Sequence, residues 1–187
     1  MDEEVQLYLD DAKEKMKKAI LHLEAELVKV RAGKASPQML EGVHADFYGV
    51  STPITQMANI NTPDSRTLLL QPWDKNTIES INKAILAANI GLTPVVQSDT
   101  IRINIPVPTE ERRKLLAKQA RSEAEVARVS LRNTRREILE DLKKIEKEGT
   151  PEDAIKEAEE VVKKMIDTYN KKVDALLEQK EKDIMTV

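Results

Sequence analysis

The sequence predicts an α+β protein: an elongated three-helix bundle that carries an inserted small α/β domain. Three observations lead to it. Apolar residues recur at spacings of three and four in three long segments, the mark of helices that each bury one stripe. Between the first and second of these segments the character changes, and most of the prolines and four of the five glycines gather in residues 33–108 among short β-branched runs. The three stripes cannot stay wet, and one bundle buries all three.

The first helix shows Leu9, Ala12, Met16, Ala19, Leu23, Leu27 and Val30 on one side. It runs about 40 Å at 1.5 Å per residue. Gly33 ends it, and Ser36 followed by Pro37 offers an N-cap and first position for a short following turn. Strands are expected in VHADFYG, RTLLLQPW, TPVVQ and TIRINIP, with Ser98 and Asp99 as the turn between the last two. Between them a helix is expected with Asn76 as N-cap, Glu79 as capping-box partner, Ile78, Ile81 and Ile85 as its apolar side and Gly91 as C-cap. One helix of this kind covers one face of a sheet of about four strands. Phe47 and Trp73 are expected in the core beneath it.

After IPVP the helical period resumes, with Thr109 as N-cap and Glu110 and Glu111 in the first turn. Leu116, Ala120, Ala124, Ala127, Leu131, Ile138 and Leu142 form its buried face. Gly149 stops it, and Pro151 opens a last helix with Ile155, Ala158, Val162, Met165, Tyr169, Val173 and Leu176 inward. The bundle is thus expected from residues 1–31 and 107–187, and the insert from 32–106. Two short connections join them, Arg31, Ala32 and Gly33 going out and Ile105, Pro106, Val107 and Pro108 returning, and they read as a hinge.

Composition removes several functions. A chain of 187 residues with 40% hydrophobic content can build a real core, and the absence of cysteine excludes disulfides and thiolate metal sites. The acidic start MDEEVQLYLDD lacks an apolar core, and no apolar run nears the roughly 20 residues that span a bilayer, so a cytoplasmic protein without membrane contact is expected. His22 and His44, the only histidines, read as a helix-flank and a strand residue; no metal, cofactor or catalytic group is expected. AGKAS lacks the upstream glycine and the preceding strand of a phosphate-binding loop.

What remains is charge. The net charge is −3, yet residues Glu111 to Arg136 hold nine basic and three acidic groups. At about 100° per residue, Arg121, Arg128, Arg132, Arg135 and Arg136 fall within an arc of roughly 100°, beside the apolar face. One reading neutralises them: Glu125 reaches Arg121 or Arg128, and Arg136 reaches Glu140, by helical spacing. The other gives them to nucleic acid, since five arginines without a lysine suit phosphate oxygens and base edges, and a row rising about 22 Å can follow several phosphates of a folded RNA. A structural coiled-coil adaptor whose stripes continue into a partner's helices is the competing class; an enzyme in the α/β unit lacks a clustered nucleophile, base or metal set.

The motifs VRAGKASPQML, FYGVSTPITQMANI, DSRTLLLQPWD, KAILAANIGLTP, IRINIPVPTEERRKLLAKQ and ARVSLRNTRREI, in this order, resemble the bacterial ribosome recycling factor family over essentially the whole chain. Lys34 stands where that family commonly has arginine and Thr93 where it often has asparagine. The resemblance implies an L-shaped, monomeric two-domain protein of roughly transfer-RNA outline, not itself an enzyme. It implies binding to the ribosome after termination and, with elongation factor G and GTP hydrolysis, its separation into subunits. The positions matching the family's contacts with large-subunit ribosomal RNA are Arg113, Arg128, Arg132, Arg135 and Arg136, with Arg121 on the same stripe.

Overall fold

A computed structural model describes residues 3–30 and 33–186. They divide into two compact units, residues 3–30 with 110–186 and residues 33–109. Arg31 and Ala32, half of the expected outgoing hinge, lie outside the described residues.

The first unit is made of α1 (Glu3–Lys29), α3 (Glu110–Lys147) and α4 (Glu152–Met185). Each packs on the other two, because each supplies one apolar stripe and no stripe is complete without its neighbours. Met16 and Leu23 of α1, Leu131 and Leu142 of α3, and Val162 and Val173 of α4 are almost fully buried. In α1 it is Ile20 that enters the core and Ala19 that sits at its edge; in α4 Ile166 takes the place expected of Met165. The α3 stripe has a polar gap at Thr134, which is buried between Leu131 and Ile138. Its hydroxyl donates to the Ser130 carbonyl at 3.0 Å, so no donor is left unsatisfied there. Gly149 ends α3 at φ 117°, while Thr150 N–H donates back to Ile145 O at 3.0 Å. Pro151 is the cap of α4 rather than its first residue.

The second unit holds β1 (His44–Phe47) and β2 (Val50–Pro53), paired as a hairpin, and β3 (Ala58–Asp64), β4 (Thr67–Pro72), α2 (Ile78–Ala87), β5 (Pro94–Gln97) and β6 (Thr100–Asn104). The larger sheet has the order β3-β4-β6-β5, antiparallel throughout. Leu68, Leu70, Ile101 and Ile103 of its two central strands meet Ile81 and Ile85 of α2, all at 0% exposure. β2 and β3 were not among the expected strands. β3 reads ANINTPD, rich in poor strand formers, and it lies at the sheet edge with five of its seven positions exposed; pairing with β4 through Ile60↔Leu70, not its own propensity, makes it a strand.

Three local expectations are corrected. Asn76 does not cap α2. A 3-10 turn, Lys75–Thr77, precedes the helix, and its cap is Asp74, whose Oδ1 accepts from Asn76 N–H at 2.9 Å. Gly91 does not close the helix either: α2 ends at Ala87, and Asn89 takes the left-handed position at φ 48°. Finally, Trp73 is 63% and Phe47 37% exposed. Aliphatic side chains from the central strands and α2, joined by Leu40, Val43, Ile54 and Met57, make up the core, and the aromatics fall at strand ends, outside it.

Phe47 lies at the tip of the β1–β2 hairpin, beside Tyr48. Tyr48 and Gly49 form its two-residue turn, both at positive φ, and Gly49 N–H donates to Asp46 Oδ1 at 2.8 Å. The Tyr48 ring stands edge-on to Phe47 at 4.8 Å, and its hydroxyl donates to Asp74. That bond, with the Asn76 N–H behind it, holds the Asp74 carboxyl below the usual carboxylate range, and it holds the Tyr48 phenol above its ordinary value. The tie is therefore lost as pH falls through the lowered Asp74 pKa and, separately, as pH rises through the raised Tyr48 pKa. Emission of Trp73, the only tryptophan, should be flat between about pH 5 and 9 and change on both sides. In a Tyr48→Phe variant the alkaline change should vanish.

Candidate nucleic-acid interface

Residues Arg121, Arg128, Arg132, Arg135 and Arg136 all lie on α3, which is unbroken from Glu110 to Lys147. Their backbone is held because α3 buries Ala120, Ala124, Ala127, Leu131 and Ile138 on the adjoining side. The guanidinium groups therefore project from one flank of a rod fixed by its own core.

The two readings of the stripe both hold, for different members. Arg121 Nε donates to Glu181 Oε1 at 2.7 Å, and Arg128 Nη2 to Asp174 Oδ1 at 2.6 Å, both acceptors being on α4. Arg132 Nη2 donates to Glu125 Oε1 at 2.9 Å, and Glu125 also stands 3.7 Å from Arg128. The expected partner of Arg136, Glu140, is not within ion-pair distance. Among the described residues Arg135 and Arg136 have no carboxylate within 4 Å, and both are exposed.

Magnitudes decide how closed the paired members are. Arg121 and Arg132 keep about two-thirds of their side-chain surface in solvent, at 65% and 64%, and Arg128 keeps 30%. Ion pairs of that exposure contribute about 0–1 kcal/mol. Each engages its arginine through few of its five N–H donors, so the exposed forks of Arg121 and Arg132 keep donors available to solvent. A phosphate can replace such a carboxylate at little cost, because charge-assisted and bidentate contacts are stronger than a screened surface pair.

Arg113 stands apart. It is half-buried near the core-facing side of the first turns of α3, about 80° from Arg121 around the axis, and its Nε is buried without a hydrogen-bond partner. Lys143 joins the stripe instead: it lines one shallow depression with Arg132, Arg135, Arg136, Leu139 and Glu140. It is exposed and, among the described residues, has no carboxylate within 4 Å. Its helical angle was readable in the sequence, but a search confined to arginine passes it by.

Of the expected hinge, Ile105 is buried in the core of the second unit, with its N–H donating to Arg66 O at 2.7 Å. Pro106 and Val107 are exposed and in no helix or strand. Gly33 and Pro108 meet: a Cβ on Gly33, whose φ is +75°, would lie 2.8 Å from Pro108 Cδ. His22 and His44 are exposed on α1 and β1, and His44 Nδ1 lies 3.0 Å from Gly42 O. Among the described residues no His, Asp and Glu group is arranged to hold a metal ion, and no helix is long and apolar enough to cross a membrane.

Comparison with known proteins follows the same lines. Residues 23–185 match the family model described as ribosome recycling factor. The ribosome-recycling factor of Flavobacterium johnsoniae is 52% identical over 187 residues, all of both chains. That of Cytophaga hutchinsonii is 48% identical over 99% of this chain and 100% of its own. Among solved structures, a solution structure of the ribosome recycling factor superposes with a TM-score of 0.76 at 36% identity, covering 100% of both chains. A second, from models for the T. thermophilus ribosome recycling factor and the E. coli elongation factor G bound to the E. coli post-termination complex, gives 0.62 at 40% identity over 97% of this chain and 98% of the other.

Proposed function

The chain belongs to the ribosome recycling factor family, and from that premise we propose that it binds the post-termination ribosome and, with elongation factor G and its GTP hydrolysis, promotes separation of the subunits. It is a translation factor without catalytic chemistry of its own; the hydrolysed GTP belongs to the elongation factor. It acts in the cytoplasm, where ribosomes are.

The observation that carries the reading of the site is the open end of the α3 stripe. Arg135, Arg136 and Lys143 are exposed cations with no carboxylate within 4 Å among the described residues, continuing a row in which Arg121, Arg128 and Arg132 make only surface pairs. This row grips large-subunit ribosomal RNA through its phosphates, where the rigid spacing of α3 matches backbone shape rather than base sequence. Arg113, half-buried with an orphaned Nε, serves the same contact only after its side chain turns outward. The hinge is the pair of connections at the small unit's two ends, Arg31 to Gly33 and Pro106 to Pro108, and Ile105 belongs to the small unit's core. The bundle holds on while the small unit is pushed.

Purified ribosomes should carry the full-length chain through a sucrose cushion at low salt and release it progressively as salt rises. Light scattering should then show subunit separation only when the chain, elongation factor G and GTP are all present. A stable oligomer that ignores ribosomes would make the chain a coiled-coil adaptor instead.

A further inference from the structure

The acids beside the stripe are as ordered as the arginines. Glu125 lies inside the arginine arc and approaches both Arg128 and Arg132. Asp174 and Glu181 come from another helix, 46 and 60 residues away, and each stands against one guanidinium. Three carboxylates thus stand against three consecutive arginines, while the two that follow, Arg135 and Arg136, have none within 4 Å among the described residues. Stability does not explain the pattern, since pairs this exposed contribute little to it.

We infer that Glu125, Asp174 and Glu181 are specificity-determining residues that stand in for phosphates in the free protein and screen the stripe from RNA of the wrong shape. This rests on the proposed grip of the stripe on ribosomal RNA. Each carboxylate oxygen accepts from guanidinium N–H donors that a phosphate oxygen would otherwise engage, so it occupies a phosphate's place on the fork. An RNA whose phosphates arrive at all the right places displaces every carboxylate at once, and the new bidentate contacts offset the loss. A flexible single strand engages one or two forks at a time and otherwise meets the net charge of the face. Against five arginines and Lys143 the three carboxylates halve the charge of that face, so the acids weaken the wrong ligand's attraction more than the right one's. Arg135 and Arg136 remain open for first encounter.

The test compares the full-length parent with the Glu125→Gln/Asp174→Asn/Glu181→Gln variant, using polyuridylate as the non-cognate probe and purified ribosomes as the cognate one, over a salt titration. Polyuridylate binding should strengthen about tenfold or more near 0.1 M salt, with a salt slope steeper by about two, while ribosome binding changes by less than about threefold. Unchanged polyuridylate affinity overturns the inference, and so does an equal gain on both probes. Glu125→Gln alone, which touches only α3, is the second variant should the triple one unfold, with a smaller gain of the same sign expected. If Arg132→Ala/Arg135→Ala leaves ribosome binding intact, the grip itself is refuted and the inference falls with it. If that variant binds weakly while the acid variants show no gain, the grip stands and only the screening role is lost.

Discussion

Arg132→Ala/Arg135→Ala should bind ribosomes on the order of 30-fold more weakly than the parent near 0.1 M salt, and its salt slope should be shallower by about 1.5. Both side chains are exposed and on the same flank of α3, and neither is in the bundle core. Alanine is the best helix former, so α3 itself is not weakened. Loss of the Arg132–Glu125 pair costs at most a few tenths of a kcal/mol, being an exposed contact within one helix. Thermal unfolding should therefore be almost unchanged while affinity falls. The shallower slope is the decisive readout, because it counts phosphate contacts directly. A variant that bound more weakly at an unaltered slope would have lost shape, not charge. Parent-like binding across the titration would remove the stripe from the interface.

Gly33→Ala should destabilise the small unit by about 2–5 kcal/mol. Two costs add. Gly33 has φ +75°, where an L side chain is strained by roughly 1–2 kcal/mol, and the new methyl would lie 2.8 Å from Pro108 Cδ and 3.1 Å from its Cγ, an overlap worth about 1–3 kcal/mol in a ring that cannot fold away. Gly91→Ala separates them. Gly91 has nearly the same φ, +76°, with nothing within 4 Å of the added atom, so it should show the backbone cost alone. The difference between the two variants measures the Gly33–Pro108 contact. Trp73 emission should report unfolding of the small unit, and helical ellipticity that of the bundle. Under conditions where both units of Gly33→Ala remain folded, ribosome binding should be close to the parent's while subunit separation slows, because the two chain segments no longer meet in the same way. Equal loss of both activities would count against a hinge role.

Much of this was legible in the sequence. Leu116, Ala120, Ala124, Ala127, Leu131, Ile138 and Leu142 were readable as the buried face of α3 and are buried, because a helix repeats every 3.6 residues and its burial shows in its own spacing. The Ser36 cap was readable for a similar reason: it accepts from Gln38 N–H, two residues away. The arginine arc needed no more than an angle per residue. The family resemblance rested on six motifs spread over the chain.

The misses share one cause. β3 and β2 lack a pattern of their own and exist because β4 and β1 pair with them. Trp73 and Phe47 were expected inside because large apolar side chains usually are, but whether a core has room is a property of every strand and helix around it. Asp74 caps a 3-10 turn ahead of the helix that Asn76 was expected to cap, and its carboxylate is held partly by Tyr48, 26 residues away.

The sequence by itself determined the helices, their inward faces and the placing of five arginines on one flank, since each of these depends on neighbours within a turn or two. Only the tertiary structure decided which of those arginines are covered. Asp174 and Glu181 reach Arg128 and Arg121 because α4 returns along α3, and no local period records which residue of a returning helix stops opposite a given side chain.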